Sequence, residues 1–318
     1  MAAPQSRLNR VQPRLARSAR LVRLGVALLL AAYAAIWALA PRDAALMESL
    51  WFLPAVGVVG AIIANASGTG GGVVFVPVFN ALREFGTMAL DPLAIVGVSM
   101  GIQAFGMTLG ALRWTDRLYH QHPPGVREAR VRPRDYWLVC TGVLALSLPA
   151  MLAAQRMIGF DPHTVLTGYK SFSIVLGLAV ILATWTVNRD IPERSALTRL
   201  DIALLLAIAI PGGAITALFS VGIGELVAFY LFLRHYPMVL CVGTACVISS
   251  VSCIAGLVWH AGAGTVQWEV VLLAAPGAML GAFLARPIAL RLGPRRLKTA
   301  GGAWIVLSAL YLLWLNRI

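Results

Sequence analysis

The sequence predicts an all-α polytopic membrane protein built as an inverted repeat. Each half contains a broken or re-entrant hairpin followed by three transmembrane helices, and one extra transmembrane helix precedes the first half. Composition is the first observation behind this class, because the 318 residues are 59% hydrophobic and 12% charged. A soluble domain carries about 25% charged residues to hydrate its surface. The composition therefore excludes a single soluble globule.

Long apolar segments are the second observation. A membrane core about 30 Å thick is crossed by roughly 20 apolar residues in a helix. Seven segments fit this length: 24–40, 92–112, 136–154, 165–187, 238–259, 268–285 and 299–315. Two longer apolar regions, 49–83 and 201–233, are interrupted near their middles by glycine-rich sequence. We expect one membrane domain, consisting of a basic N-terminal segment (1–23), a first transmembrane helix (24–40), repeat 1 (49–187) and repeat 2 (200–317).

The distribution of positive charge is the third observation. Lys and Arg number 26 against 13 Asp and Glu, a net charge of +13. These basic residues cluster in 1–23, 113–134, 188–199 and 286–298, whereas 260–267 contains none. Basic segments flanking apolar spans indicate the cytoplasmic side of a membrane. We therefore expect a cytoplasmic N-terminus and a lipid bilayer as the partner of this surface, and no nucleic acid.

This orientation makes the two interrupted regions enter the membrane from opposite sides. With 24–40 running outward and 113–134 inside, region 49–83 begins and ends outside, whereas region 201–233 begins and ends inside. Short matches between the halves support a repeat: Gly68, Gly70 and Phe75 match Gly222, Gly224 and Phe229, and Val96, Gly97 and Gly110 match Val242, Gly243 and Gly256. Inverted repeats with broken helices are typical of secondary transporters.

The two interruptions are the predicted substrate site. Residues 67–72 are Ser67, Gly68, Thr69 and three adjacent glycines, a sequence that disfavours a continuous helix. Irregular backbone at membrane depth is tolerated where it lines a cavity or is buried in protein. A half-helix beginning at Gly72 or Val73 would direct backbone N–H groups at the membrane centre and favour an anion. Alternatively, these glycines only permit close helix packing, as Gly277 and Gly281 do.

The stretch Gly68, Thr69, Gly70, Gly71, Gly72 followed by Pro77, with its weaker echo at 222–225 and small residues at 277–286, resembles the sulfite exporter TauE/SafE family over about 45–315. The resemblance implies a permease of the bacterial inner membrane for a small anion, such as sulfite, a sulfonate or an organic acid. The second motif departs from the first, since Glu225 replaces a glycine and Leu231 stands where Pro77 has its counterpart.

The candidate substrate-binding residues are the polar and glycine residues in and beside the interruptions. They are Asn65, Ser67, Gly68, Thr69, Gly70, Gly71, Gly72, Ser99, Gln103, Ser220, Gly222, Gly224, Thr244 and Ser249. Glu225 is the candidate for coupling, because a carboxylate inside a membrane is costly and would repel a bound anion until protonated. It could equally cap its own half-helix. A coupled proton or sodium ion is therefore a possible further partner.

Other functions are less well supported by the residues. An anion channel or a membrane assembly factor would share this composition. Gly97, Ser99 and Gly101 match the nucleophile pattern of serine hydrolases, but that chemistry needs a strand-to-helix turn. The four cysteines lie in apolar spans without metal-ligand spacing. We expect no catalytic residue, metal or cofactor, and the sequence does not determine the oligomeric state.

Overall fold

The computed structural model describes residues 5–120, 129–157, 162–186 and 192–315. The predicted inner segments 113–134 and 188–199 extend in part beyond these residues. Within them the chain is helical: α1 Gln5–Leu39, α2 Ala44–Ser49, α3 Leu53–Ser67, α4 Gly72–Glu84, α5 Pro92–Tyr119, α6 Pro133–Met157, α7 Pro162–Thr186, α8 Arg199–Phe219, α9 Ile223–Leu233, α10 Met238–Gly262 and α11 Trp268–Leu315. The predicted all-α membrane class is confirmed.

Six helical segments among the described residues are long and apolar enough to cross a membrane. Five of them, Ala19–Leu39, Pro92–Tyr119, Pro133–Met157, Met238–Gly262 and Trp268–Gly293, coincide with predicted spans. Helix α11 bends at Gly293, whose φ is 74°. The predicted spans 165–187 and 299–315 correspond to α7 and the part of α11 after this bend, where shorter apolar stretches are described.

The sixth segment, α8, is longer than expected for half of a broken hairpin. It has 21 residues, whereas α3 in the first interrupted region has 15. The difference arises because the apolar sequence of the second region continues unbroken up to Ser220. The two helix pairs, α3 with α4 and α8 with α9, are therefore unequal in length.

Small residues bring the helices of the two halves into close contact. A Cβ on Gly277 would overlap the carbonyl of Pro54, and one on Gly281 would overlap the carbonyl of Val58, so α11 lies directly on α3. A Cβ on Gly213 would likewise overlap the carbonyl of Ser147, where α8 crosses α6. Such contacts are how membrane helices associate without a hydrophobic driving force.

The helix contacts correspond between the two halves. Helices α5 and α10 pack against each other at the centre, α4 packs on α5, and α9 packs on α10. Helix α6 packs on α8, and α11 packs on α3. The arrangement places both interruptions, one between α3 and α4 and the other between α8 and α9, beside the central pair.

Helix α1 lies on the outside of this body. None of the residues in its apolar window is buried, and Leu21, Leu24 and Leu28 are exposed, as expected for a lipid-facing helix. The Tyr33 hydroxyl donates to the carbonyl of Leu272 on α11 and holds α1 to the rest of the protein. The four cysteines are buried and form no disulfide with one another, as their apolar surroundings predict.

A buried carboxylate ties the ends of the second helix pair together. Asp201, in the first turn of α8, is fully buried and accepts hydrogen bonds from the hydroxyls of Thr198, Tyr230 and Tyr236 at 2.6–2.7 Å. The guanidinium of Arg234, just after α9, donates at 2.8 Å. The hydrogen bond to Asp201 raises the pKa of Arg234. This cluster fixes the start of α8 against the end of α9.

Candidate substrate site

The first interruption, which we call the first tip, consists of residues 68–71. Helix α3 ends at Ser67, and the next residue, Gly68, has a left-handed φ of 76°. Gly70 is left-handed as well, with a φ of 65°. A residue with a Cβ pays roughly 1–2 kcal/mol for this conformation, so glycine is favoured at both positions. Helix α4 begins at Gly72, as its sequence predicts.

Two hydroxyl groups lie at the first tip. Ser67 Oγ donates to the carbonyl of Ile63 at 2.7 Å and lies 2.7 Å from Thr69 Oγ1. Both residues are buried. The first tip therefore combines hydroxyl groups with the N-terminus of α4, whose partial charge of about +0.5 favours an anion.

The second interruption, which we call the second tip, consists of residues 220–222. Helix α8 ends at Phe219, and the next residue, Ser220, has a left-handed φ of 57°. Ser220 therefore occupies the position that Gly68 has in the first tip. The sequence match paired Gly68 with Gly222, whereas in the structure Gly68 corresponds to Ser220, two residues earlier. Glu225 Oε2 accepts the N–H of Gly222 at 2.7 Å, which confirms the capping geometry considered for this residue.

The two tips are in direct contact inside the protein. A Cβ on Gly70 would overlap Glu225 Oε1, and one on Gly72 would overlap the carbonyl of Ser220. Gly68 approaches α9 and α10 in the same way, since its Cβ would lie 3.3 Å from Cβ of Ala228. The glycines of the first tip thus allow its backbone to reach the second tip.

Gln103 on α5 joins the two tips through its side-chain amide. Its Oε1 accepts the N–H of Gly71 at 2.6 Å, and its Nε2 lies 2.7 Å from Oγ and 3.2 Å from the carbonyl oxygen of Ser220. Ser99 Oγ, one turn earlier on α5, lies 3.1 Å from the same Nε2. We call this contact between the two tips the junction. Gln103 is 2% exposed and Glu225 is 4% exposed, so the junction is closed to both sides.

Comparison with known families now identifies the chain. Residues 53–312 match the model of the family described as sulfite exporter TauE/SafE. The chain belongs to the sulfite exporter TauE/SafE family. This is a family of membrane transporters, so the protein is a multi-pass membrane permease. The chain matches no curated protein and no solved structure.

Most of the residues predicted to bind substrate in this TauE/SafE protein lie together. Ser99, Gln103, Ser220, Gly222 and the tip residues 67–72 lie at or beside the junction. Gly224 and Ser249 meet at its far side, where a Cβ on Gly224 would overlap Ser249 Oγ. The close approach of α9 to α10 therefore requires glycine at 224.

Asn65 and Thr244 are buried but bond elsewhere. Asn65 Nδ2 donates to the carbonyl of Ala61, and its backbone carbonyl accepts from the indole N–H of Trp114 at 2.9 Å. Thr244 Oγ1 donates to the carbonyl of Leu240 on its own helix. The side chains of Asn65 and Thr244 therefore donate within their own helices of the TauE/SafE fold and not to the tips.

Thr216 is a residue of the second tip that sequence reasoning missed. Its Oγ1 accepts the N–H of Ile223 at 2.9 Å and donates to the carbonyl of Gly212 at 2.8 Å. It thereby satisfies one of the backbone groups left unpaired where α9 begins. A threonine one turn before the end of an apolar helix is the only signal, and it is common in membrane helices.

The serine hydrolase pattern at Gly97, Ser99 and Gly101 lies inside α5. Ser99 is therefore not on a strand-to-helix turn, and its hydroxyl accepts from Gln103. Ser99 is therefore a helical residue that supports Gln103 at the junction of the TauE/SafE protein, without the turn that a nucleophilic serine needs.

Proposed function

We propose that this protein is a secondary transporter that moves a small anion across the bacterial inner membrane by alternating access at the two tips. The supporting observation is the buried junction in which Gln103 bonds Gly71 of the first tip and Ser220 of the second. Substrate passage requires this junction to open toward one side at a time. The proposed substrate class is small anions: sulfite, which the family's description names, a sulfonate or an organic acid.

Backbone groups supply the anion binding in this proposal. The net charge of +13 lies mainly in segments between the spans, far from the tips. The N-terminus of α4 lies at the junction, since a Cβ on Gly72 would overlap the carbonyl of Ser220, and the hydroxyls of Ser67 and Thr69 lie just before it in the chain. Peptide N–H groups and hydroxyls bind an oxyanion without burying a permanent countercharge, which lets the anion leave again.

Glu225 is the proposed coupling residue. Its Oε2 caps α9 while its Oε1 lies against Gly70 of the first tip. An ionised carboxylate there occupies the position that favours an anion and repels a second negative charge. Protonation of Glu225 would remove this repulsion, so that anion binding and proton binding favour each other. A sodium ion balancing the same carboxylate is the alternative coupling.

The correspondence of helix contacts between the two halves supports alternating access. The contact of α6 with α8 has a counterpart in that of α11 with α3, around the central pair α5 and α10. With a cytoplasmic N-terminus, the pair α3 and α4 enters from outside and the pair α8 and α9 from inside. When the two halves exchange the arrangements of their equivalent helix contacts, the substrate site opens first to one side of the membrane and then to the other.

Transport by purified protein in proteoliposomes tests this proposal. A panel of radiolabelled sulfite, thiosulfate, sulfonates, sulfate and short carboxylates identifies the substrate. We expect saturable flux that is accelerated by unlabelled substrate on the opposite side. Flux that stays linear with concentration and shows no counter-transport would support an anion channel. Absence of flux for every anion in the panel would support a membrane assembly factor.

A further inference from the structure

An open groove with a volume of about 190 Å³ runs between α6 and α8 on the surface of the protein. The residues that line it are all apolar: Leu138, Val139, Val143, Ile202, Leu205 and Leu206. Val139, Val143 and Leu205 are buried and form its floor, whereas Leu138 is 41% exposed at its rim. Such a lining makes dispersion contacts with hydrocarbon and offers no side-chain hydrogen bond to a polar ligand.

The groove exists because the backbones of α6 and α8 meet closely only further along the two helices. A Cβ on Gly213 would overlap the carbonyl of Ser147, so the backbones touch there. Nearer the start of both helices the contact is made by side chains, since a Cβ on Gly142 would lie 3.3 Å from Leu206 Cδ2. These two contacts also show that α6 and α8 run in the same direction. Their N-terminal ends therefore lie together, at the end of the groove.

Two exposed arginines lie one helical turn from the groove, where α6 and α8 begin. Arg134 is four residues before Leu138 on α6, and Arg199 is three residues before Ile202 on α8. Residues at these spacings share a helix face, and side chains lean toward the N-terminus of their helix. Both guanidinium groups therefore extend from the end of the groove, with their aliphatic stems toward its apolar lining. Neither arginine forms an ion pair within the part of the chain that the structure describes.

The rim at this end of the groove is positively charged. Residues 132–135 and Arg199 contribute three arginines and one carboxylate, that of Asp135, which is a net charge of +2. The carboxylate of Asp201, in the first turn of α8, is already paired with Arg234 at 2.8 Å. The rim therefore favours a negatively charged group at the mouth of an apolar groove.

An aromatic pair marks the level of the lipid headgroups beside this rim. Trp137 is three residues after Arg134, and its indole N–H donates to the hydroxyl of Tyr119 at 3.1 Å. Both aromatic residues are 38% exposed. Trp and Tyr side chains, which have an apolar body and a polar end, are enriched where a membrane meets water. The arginines therefore lie at headgroup level, and the groove runs from there into the hydrocarbon.

We propose that the groove between α6 and α8 is a binding site for an anionic phospholipid, with an acyl chain in the groove and the phosphate held by Arg134 and Arg199. Guanidinium groups bind a phosphate through charge and paired hydrogen bonds, and the groove buries part of the chain. A zwitterionic lipid brings a cation to the same positive rim, so the anionic headgroup is preferred. The site does not depend on the transported substrate. Because α6 belongs to repeat 1 and α8 to repeat 2, the bound lipid contacts both halves.

Native mass spectrometry of the full chain in a non-ionic detergent tests this site without requiring transport. Phosphatidylglycerol and phosphatidylcholine with identical acyl chains are titrated separately, and the protein with one bound lipid is counted at each concentration. We expect wild-type protein to bind phosphatidylglycerol about 30-fold more tightly than phosphatidylcholine, because each arginine near an anionic headgroup contributes roughly fivefold.

Variants separate the rim, the groove and net charge. The double variant Arg134→Gln, Arg199→Gln should bind the two lipids equally. Ile202→Trp fills the groove and leaves the arginines in place, so it should weaken binding of both lipids. The control is the double variant Arg156→Gln, Arg291→Gln, which removes the same charge from exposed positions at the other end of α6 and on α11, and should retain the wild-type preference. Thermal unfolding shows which variants are folded, and Leu206→Phe replaces Ile202→Trp if the tryptophan prevents folding.

Three results would overturn the lipid site. Equal binding of the two lipids by wild-type protein would show that the rim does not select an anionic headgroup. A wild-type preference in Arg134→Gln, Arg199→Gln would place the phosphate elsewhere, and unchanged binding in the groove-filling variant would place the acyl chain elsewhere. Failure of the proposed transport function is distinguishable, since lipid selectivity would then persist in a protein that transports no anion in proteoliposomes.

Discussion

The amide of Gln103 bonds the hydroxyl of Ser220 at 2.7 Å, although the two residues are 117 positions apart. The same amide accepts the N–H of Gly71 at 2.6 Å. One side chain from a central helix thus holds two interruptions of the chain against each other. Because the amide has both donors and an acceptor, it can hydrogen-bond polar groups of both tips, which an apolar side chain could not do. The state described is one in which the junction is closed.

Gln103→Leu is expected to abolish transport while lowering stability moderately. The substitution leaves the Gly71 N–H and the Ser220 groups buried without a partner, which costs about 1–3 kcal/mol for each. Flux in proteoliposomes and thermal unfolding in detergent measure the two effects. Thr141→Val, on the exposed face of α6, is the control and should change neither. Normal flux in Gln103→Leu would show that the bridge is not part of the transport cycle.

Glu225→Gln is expected to flatten the pH dependence of transport. The amide retains an oxygen that accepts the Gly222 N–H, so the cap is preserved while the charge that opposes an anion is removed. Flux at a series of pH values, with and without a proton gradient, measures this. Glu84→Gln removes an exposed carboxylate at the end of α4 and should retain the wild-type profile. A wild-type profile in Glu225→Gln would contradict proton coupling through this residue.

Gly70→Ala and Gly86→Ala separate backbone strain from loss of the tip contact. Both glycines have left-handed φ values, 65° and 69°, so each alanine costs roughly 1–2 kcal/mol of strain. A Cβ on Gly70 overlaps Glu225, whereas one on Gly86 meets nothing within 4 Å. We expect both variants to lose similar stability from strain and Gly70→Ala alone to lose transport, with Gly70→Leu more severe. Equal transport in the two alanine variants would refute the role of the contact.

Cysteine labelling tests the opposite entry of the two helix pairs. The four natural cysteines are buried, so a cysteine placed at an exposed position is the principal reactive thiol. Thr87, after α4, and Ser195, before α8, are both exposed. We expect an impermeant maleimide added to intact cells to label Thr87→Cys, and Ser195→Cys only after the membrane is opened. Labelling of both from outside would contradict the inverted repeat.

The Asp201 cluster is expected to make the protein sensitive to alkali. Burial, and then the hydrogen bond to Asp201, raise the pKa of Tyr236 above its ordinary value of 10.0. A group whose pKa is higher in the folded state contributes stability below the unfolded pKa and loses it as pH rises. Thermal unfolding temperatures should therefore fall above about pH 10. Tyr236→Phe should fall less steeply over the same range, and an equal slope would exclude this tyrosine as the cause.

Much of the fold follows from local sequence. Apolar runs of about 20 residues have no stable alternative to a helix in lipid, because every backbone group must be paired within the segment. For the same reason glycine clusters mark where helices stop, and α4 begins at Gly72 as expected. The length of α8 does not follow from local sequence in this way, because the apolar pattern of its 21 residues does not mark where a broken helix ends.

The sequence by itself determined that this is a helical membrane protein with two glycine-rich interruptions, one bearing a carboxylate, because hydrophobicity and glycine content act locally. Only the tertiary structure decided which polar residues meet: Gln103 faces both tips, whereas the side chains of Asn65 and Thr244 donate within their own helices. It also decided that Ser220 takes the place of Gly68 and that His260 is fully buried. These outcomes depend on how the helices rotate and cross when they pack, and residues far apart in the chain jointly set that geometry.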